Sequence, residues 1–287
     1  QYLTGNFAFS SELMIFCQAI CGAMAVKKGR NKDGSMQWFH ALSLGCLSAF
    51  GGSTFTTLWL GKPTALLASD LNVTCAVLAF VLVNYVPFVD DLVDTPPLRW
   101  VVTSFSSLFR STGLCKYVAM AFVEFKDNPS PYYPIPMIGP ILYGTILGNM
   151  SAFFLKGFDE HLKNGMPWAF QNGLVCGFFF HFFVHDQTGP IGIALRDLLG
   201  NIPRGVFDLD DKVFAITVIG VFVQIMGFLQ MQENYGPTFS PFVVVRDQAW
   251  DVLEKSVSMR SLTSISGPVK TKKVKFARKP KKTSKKD

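Results

Sequence analysis

Four polar residues recur on one helical face inside an otherwise apolar stretch. Arg99, Thr103, Ser106 and Arg110 stand at i, i+4, i+7 and i+11, which is one side of a helix. Ser107 and Ser111 lie beside them. Arg110 is the most deeply placed charge, about ten residues from either end of its segment. A charge so far inside hydrocarbon is costly and must face a cavity or a partner. It could hold a lipid phosphate, gate or repel cations, or pair with a carbonyl or an acid on another helix.

Two further segments offer neutral oxygen ligands. Ser53, Thr54, Thr56 and Thr57 follow Gly51-Gly52, and Thr145, Asn149 and Ser151 accompany Gly144 and Gly148. If the glycines kink their helices, freed carbonyls and these hydroxyls would line a hydrated path suited to a monovalent cation. The competing reading is back-bonding of each hydroxyl to the preceding turn. No ring of Asp or Glu stands mid-segment, so strong divalent selectivity is not expected. His181 and His185 are one turn apart with Asp186 next, a spacing that can bind a metal. With four histidines in the chain and no third or fourth ligand in view, they read as interfacial polar residues, and no metal is expected. No nucleophile–base pair stands out, and the chain is not expected to be an enzyme.

The elements that must carry these residues are membrane helices. Hydrophobic residues make up 49% of the 287 and charged residues 16%, against about 25% charged in soluble domains. Seven apolar segments approach the roughly 20 residues a helix needs to span a bilayer. They cover about 7–26, 37–60, 71–89, 97–123, 136–156, 168–184 and 213–231. Pro96-Pro97 is a helix-start signal for the fourth. Residues 191–199 read as a short interfacial helix with Arg196 and Asp197 on its polar side. The expectation is an all-α membrane protein of seven transmembrane helices.

Charge is distributed unevenly. Ten of the 27 basic residues, but only one of the 20 acids, fall between Gly267 and Asp287. The remaining chain is slightly acidic, which excludes a basic nucleic-acid-binding fold. Residues 236–287 read as a disordered basic tail attracted to anionic lipid, following a channel domain over 1–235. Lys27, Lys28, Arg30 and Lys32 cluster between the first two segments, on the same side as the tail if seven segments cross. Positive-inside then places both in the cytoplasm and the N-terminus in a lumen. Lys27, Lys28 and Arg30 are candidate lipid contacts. The sequon Asn72-Val73-Thr74 is too near a segment start to be an expected acceptor. The six cysteines lie in or near apolar stretches without zinc-type pairing.

Two halves, about 7–90 and 97–187, resemble each other. Gly52 begins Gly-Ser-Thr-Phe-Thr-Thr-Leu-Trp-Leu-Gly, ending at Gly61. Gly148 begins Gly-Asn-Met-Ser-Ala-Phe-Phe-Leu-Lys-Gly, ending at Gly157. Three segments per half make the halves inverted in the membrane, a pattern of transport proteins with glycine-broken helices. The seventh segment stands outside the repeat. Close helix packing alone also favours glycine and serine.

Several of these stretches resemble the trimeric intracellular cation channel (TRIC) family. Trp38-Phe39, Phe50-Gly51-Gly52 and Leu60-Gly61-Lys62-Pro63 are similar to the family's Trp-Phe, Phe-Gly-Gly and Leu-Ala-Glu-Pro. Tyr85-Val86-Pro87-Phe88-Val89-Asp90 sits where the family has a Cys-Pro-x-Asp turn. Pro97-Leu98-Arg99 is like its Pro-Val-Arg, and Gly144 and Gly148 stand near its glycine-rich fifth span. The resemblance covers about 7–231. It implies a homotrimer with one pore per subunit, potassium-preferring flow, residence in endoplasmic or sarcoplasmic reticulum, and charge balance during calcium release. The family's fourth span carries a Lys-Glu-Val motif whose Lys engages phosphoinositide. The matching positions are Ser106-Ser107-Leu108, with Arg110 one turn on, where the family also has Arg. The lipid-holding Lys is therefore absent, no cofactor is expected, an anionic lipid or phosphoinositide is left as the one open bound group, and this would be a distant member.

The resulting expectation is a monovalent cation channel with ions passing between the halves. Its pore and gate residues would be Gly51, Gly52, Ser53, Thr54, Thr57, Ser106, Arg110, Gly144, Thr145, Gly148 and Asn149. The alternative is a secondary transporter built on inverted repeats. A retinal-type receptor would need a lysine midway along the last segment, and 213–229 has none.

Overall fold

In a computed structural model of the chain, the described residues are 2–129, 131–147, 150–157, 168–200 and 210–231. They belong to one compact unit, Gln1–Ser240. The tail from 236 onward lies outside them. Among the described residues every regular element is helical.

A short 3₁₀ turn, Tyr2–Thr4, precedes α1 (Ser10–Lys28), α2 (Trp38–Trp59), α3 (Asp70–Tyr85) and the short α4 (Val89–Asp94). Next come α5 (Pro96–Phe125), α6 (Ile138–Leu147) and α7 (Met150–Lys156). Then α8 (Trp168–Phe180) runs into a π turn, His181–His185, followed by α9 (Pro190–Gly200) and α10 (Asp211–Gln230). Pro96 occupies the first helical position of α5, where its missing N–H leaves no bond unmade.

The seven expected segments fall on α1, α2, α3, α5, α6 with α7, α8 and α10. Among the described residues, one helix is long and apolar enough by itself to cross a membrane, Asp211–Leu229. The apolar helices α3 and α6 have 16 and 10 residues. The 30-residue α5 is interrupted by Arg99, Arg110, Lys116 and Glu124. The fifth segment is described as two helices, and Gly148 and Asn149 between them lie outside the described residues. The count of seven spans therefore does not follow from helix length and apolarity alone.

Two apolar cores organise the helices. The first joins α1, α2 and α3 through Ile20, Ala23, Met24, Phe50, Ala76 and Val83, with Val93 and Val102 closing its end. The second joins α5, α8 and α10 through Leu114, Val118, Phe180, Phe183, Ala215 and Ile219. Small residues let the backbones approach. On α2, Ala41, Gly45 and Ala49 recur every fourth residue. A Cβ on Gly22 of α1 would stand 2.7 Å from the Gly45 carbonyl and 2.8 Å from Ala49. A Cβ on Gly144 of α6 would stand 2.5 Å from Val118 of α5. The halves meet where α2 crosses α6 and α7. A Cβ on Gly52 would overlap the Leu147 carbonyl, and one on Gly51 would press on the Phe154 ring at 3.0 Å. The Phe55 and Phe154 rings pack beside that crossing, centroids 5.4 Å apart.

Ion pairs fix which helix ends lie together. Lys27 donates to the Val83 carbonyl at 2.7 Å and pairs with Asp90 at 2.7 Å. Lys28 pairs with Asp94. The C-termini of α1 and α3 are thus held at the start of α5. Lys62, beyond α2, approaches Glu124 near the other end of α5 at 3.9 Å. α1 and α5 therefore lie side by side in opposite directions. The two repeat-closing glycines take the same left-handed backbone, Gly61 at φ 63° and Gly157 at φ 81°, each just past its helix. Only glycine reaches that region without a Cβ penalty.

The α2–α6 crossing makes Gly52→Ala the damaging substitution. It should destabilise the chain by about 1–3 kcal/mol, since the backbones must separate. Gly45→Ala meets nothing nearer than the Ala23 Cα at 3.9 Å and gains helix propensity, so it should be neutral or stabilising. Thermal unfolding of the purified full chain measures both, and the opposite order would refute the crossing.

Candidate functional site: two cavities that meet at Arg110

The polar stripe of α5 faces a cavity. Arg99, Thr103, Ser106, Ser107 and Arg110 all line a space of ≈ 430 Å³, closed on its other sides by α1 and the end of α10. Lys28 and Asp94 stand at its mouth. A second cavity of ≈ 280 Å³ enters between α1, α2 and α5 from the opposite end, past Ser11, Asn72 and Lys116. Gly52 and Ser53 line it. Arg110 lines both cavities. Its side chain is exposed and makes no ion pair or hydrogen bond among the described residues. Of the three uses open to it from the sequence, a structural pairing is therefore not the one found.

Beside Arg110 the two spaces are separated by a clasp of three helices. The Gln18 side-chain amide donates to the Ala49 carbonyl at 2.9 Å, and Ser106 donates to Oε1 of the same Gln18 side chain at 2.6 Å. Gln18 and Ser106 are buried. Gln18 was not among the residues expected at the site. The signal existed: an amide within an apolar helix needs a partner. A second clasp ties α5 to α10, with Ser104 donating to Gln224 at 2.8 Å and Gln224 donating to the Ser104 carbonyl at 3.0 Å.

The hydroxyls beyond the double glycine largely satisfy themselves. Ser53 donates to Phe50, Thr56 to Gly52 and Thr57 to Ser53, each at 2.8 Å. α2 is continuous through Gly51-Gly52, so no carbonyl is freed there for an ion. The glycines serve close approach instead. The Thr54 hydroxyl is buried without a hydrogen-bond partner among the described residues. Gly144 packs on α5, and Thr145 is fully buried and donates to Ile141 at 2.8 Å. Gly148 and Asn149 lie outside the described residues.

The remaining candidates are also placed. Lys27 and Lys28 are engaged by Asp90 and Asp94, while Arg30 is exposed. The hydrogen bond from Lys27 holds the Asp90 carboxyl below the usual carboxylate range. Asn72 donates to the Ala65 carbonyl at 2.6 Å, so its amide is already committed.

His181 is fully buried rather than interfacial, packed against the rings of Phe122 and Phe182 where α8 passes into the π turn. Asp186 accepts from Tyr133 at 2.6 Å and from the backbone N–H groups of Gly189 and Gly192 at 2.8 and 3.0 Å. It anchors the start of α9. Burial, and then this bond to Asp186, hold the Tyr133 hydroxyl above the ordinary phenol range. Among the described residues no group of three His, Cys, Asp or Glu could hold a metal.

Truncating one member of the Gln18 clasp should hurt more than its bond is worth. Ser106→Ala strands the buried Gln18 oxygen and should cost about 1–3 kcal/mol in unfolding free energy. Adding Gln18→Leu removes the stranded group and should recover part of that loss. Strict additivity of the two changes would show that they do not act as a pair.

No family model matches the chain, and no curated protein matches it. Two solved structures do. A trimeric intracellular cation channel from C. elegans in the absence of Ca2+ matches with a TM-score of 0.55 at 14% identity, over 78% of this chain and 92% of that chain. A structure of such a channel from C. elegans with bound Ca2+ matches with a TM-score of 0.51 at 16% identity, over 75% and 89%. The chain is thus built on the fold of the trimeric intracellular cation channels.

Proposed function

We propose that this chain is an integral membrane protein that conducts monovalent cations passively, potassium before sodium, through a path within each subunit. The observation that carries the reading is the shared Arg110. Two cavities enter from opposite ends, and the same guanidinium, unpaired among the described residues, lines both. The fold shared with cation channels supports it. So does the inverted distribution of polarity. Gln18, Ser53, Ser106 and Ser111 are buried, while Val73, Val77, Val81, Val218, Val221 and Ile225 are exposed along α3 and α10. Exposed apolar stripes of that kind suit lipid or a neighbouring subunit.

Among mostly apolar lining residues the path carries the hydroxyls of Ser11, Ser53, Thr103 and Ser107 and the amides of Gln18 and Asn72, and such neutral oxygens suit weak coordination of a monovalent ion. Arg110 opposes cations at the narrowing and acts as the gate. An anionic lipid phosphate there would lower the barrier, and Arg30 offers a further lipid contact at the cytoplasmic end. The antiparallel α1 and α5, and the matching turns at Gly61 and Gly157, support inverted halves of three spans each with α10 as the seventh. Homotrimer assembly, residence in endoplasmic or sarcoplasmic reticulum, a lumenal N-terminus, a cytoplasmic basic tail and counter-ion flow during calcium release complete the reading. They rest on the family resemblance and on charge placement.

Ion flux through the purified full chain in liposomes tests the class. Potassium should leave down its own gradient, sodium more slowly, and chloride not at all. Saturable flux that needs a second driving ion would make the protein a secondary transporter and overturn the channel reading.

A further inference from the structure

A third space lies along α5 and α10, at the end opposite Lys28. Its volume is ≈ 480 Å³, and it is an open groove. Lys62, Lys116 and Lys212 reach into it, while Ala119, Met120, Val123 and Ile216 form an apolar floor. The three lysines come from the end of α2, the second half of α5 and the start of α10. Glu124 stands 3.9 Å from Lys62. Lys116 and Lys212 are exposed and make no ion pair among the described residues. Lys116 lies nine residues before the end of α5, or roughly 14 Å of helix. At that depth a lysine extends its stem along apolar surface and carries its ammonium toward the interface. The N-terminal turn packs on α10 one helical turn beyond Ile216, where a Cβ on Gly220 would meet the Leu3 carbonyl at 3.3 Å.

Ammonium groups above an apolar trough complement one kind of molecule, an amphiphile with an anionic head. A free phosphate would use the lysines and leave Met120, Val123 and Ile216 bare. We propose that this groove holds one anionic glycerophospholipid, its phosphate on Lys62, Lys116 and Lys212 and an acyl chain along α5 and α10. The site is separate from Arg110 and from the opposite face of the protein. Thr112 and Lys116 line both this groove and the ≈ 280 Å³ cavity. A bound phosphate would therefore draw the Lys116 ammonium away from the mouth of the cation path, and occupancy would favour cation entry. The proposal rests on the membrane reading above, but lipid binding is measured without any ion flux, so either can fail alone.

The test is native mass spectrometry of the full chain in neutral detergent, titrated with phosphatidylserine or with phosphatidylcholine of the same acyl chains. Wild type should retain one more phosphatidylserine per subunit than Lys116→Gln/Lys212→Gln, which should bind it about thirtyfold more weakly. Ala119→Trp, which fills the trough and leaves every charge in place, should lose the same lipid. Lys116→Arg should keep it, which separates lost charge from lost folding. The basic tail is common to all variants and cancels. Equal retention by wild type and the double variant would overturn the proposal. So would loss in the double variant with full retention in Ala119→Trp, or displacement of the lipid by inorganic phosphate, since either would mean an ion site. A change in subunit assembly in Ala119→Trp with an unchanged lipid count would assign the groove to a second copy of the chain and also overturn it.

Discussion

A guanidinium does not lose its proton at any pH a cell reaches, and stripping it of water costs several kcal/mol even after the surroundings relax. Among the described residues, Arg110 is placed midway along the longest helix with no acid or carbonyl partner. Water or an anion must therefore reach it, and the packing around it provides for that from both ends. The two cavities are what this requirement looks like in three dimensions. Their existence depends on α5 being held away from α1 and α2 at that level, while the Gln18 clasp holds the three helices together beside it.

The clasp and the cavities in turn depend on how the helices cross. Gly22 against Gly45 and Ala49, Gly52 against Leu147, and Gly144 against Val118 bring backbones closer than any larger side chain allows. Tight crossings above and below leave the polar residues between them in fixed places. The Ser53, Thr56 and Thr57 hydroxyls of α2 close on carbonyls of their own helix. The positively charged ends are managed separately. Lys27 and Lys28 are tied to α4, while Lys116 and Lys212 are left unpaired among the described residues on the other side.

Much of this was legible in the sequence because it repeats at helical period or sits at a chain break. The stripe Arg99, Thr103, Ser106 and Arg110 follows from spacing alone and does face one cavity. Gly61 and Gly157 were visible as matching punctuation, and both close a helix. The sequence leaves the role of Gly51-Gly52 open, because a glycine pair announces a kink and a close crossing equally well in one dimension; the structure has the close crossing on a continuous helix. The Gln18–Ser106 and Gln224–Ser104 pairs join residues 88 and 120 positions apart, and no local pattern reports such a partner. His181 is buried by the rings of Phe122 and Phe182, of which Phe122 is 59 positions away, and no local pattern reports that contact. The groove of three lysines gathers residues 150 positions apart, which only the folded chain shows.

The central claim is that Arg110 stands in the ion path. Its most direct test is single-channel recording from the full chain in planar bilayers under a potassium gradient, comparing wild type with Arg110→Gln and Arg110→Lys. A passive cation current is predicted, its unitary conductance changed roughly twofold or more by Arg110→Gln and little by Arg110→Lys, since a fixed charge at a narrow point dominates the local field. A cation current with the same conductance and open probability in all three proteins would contradict it.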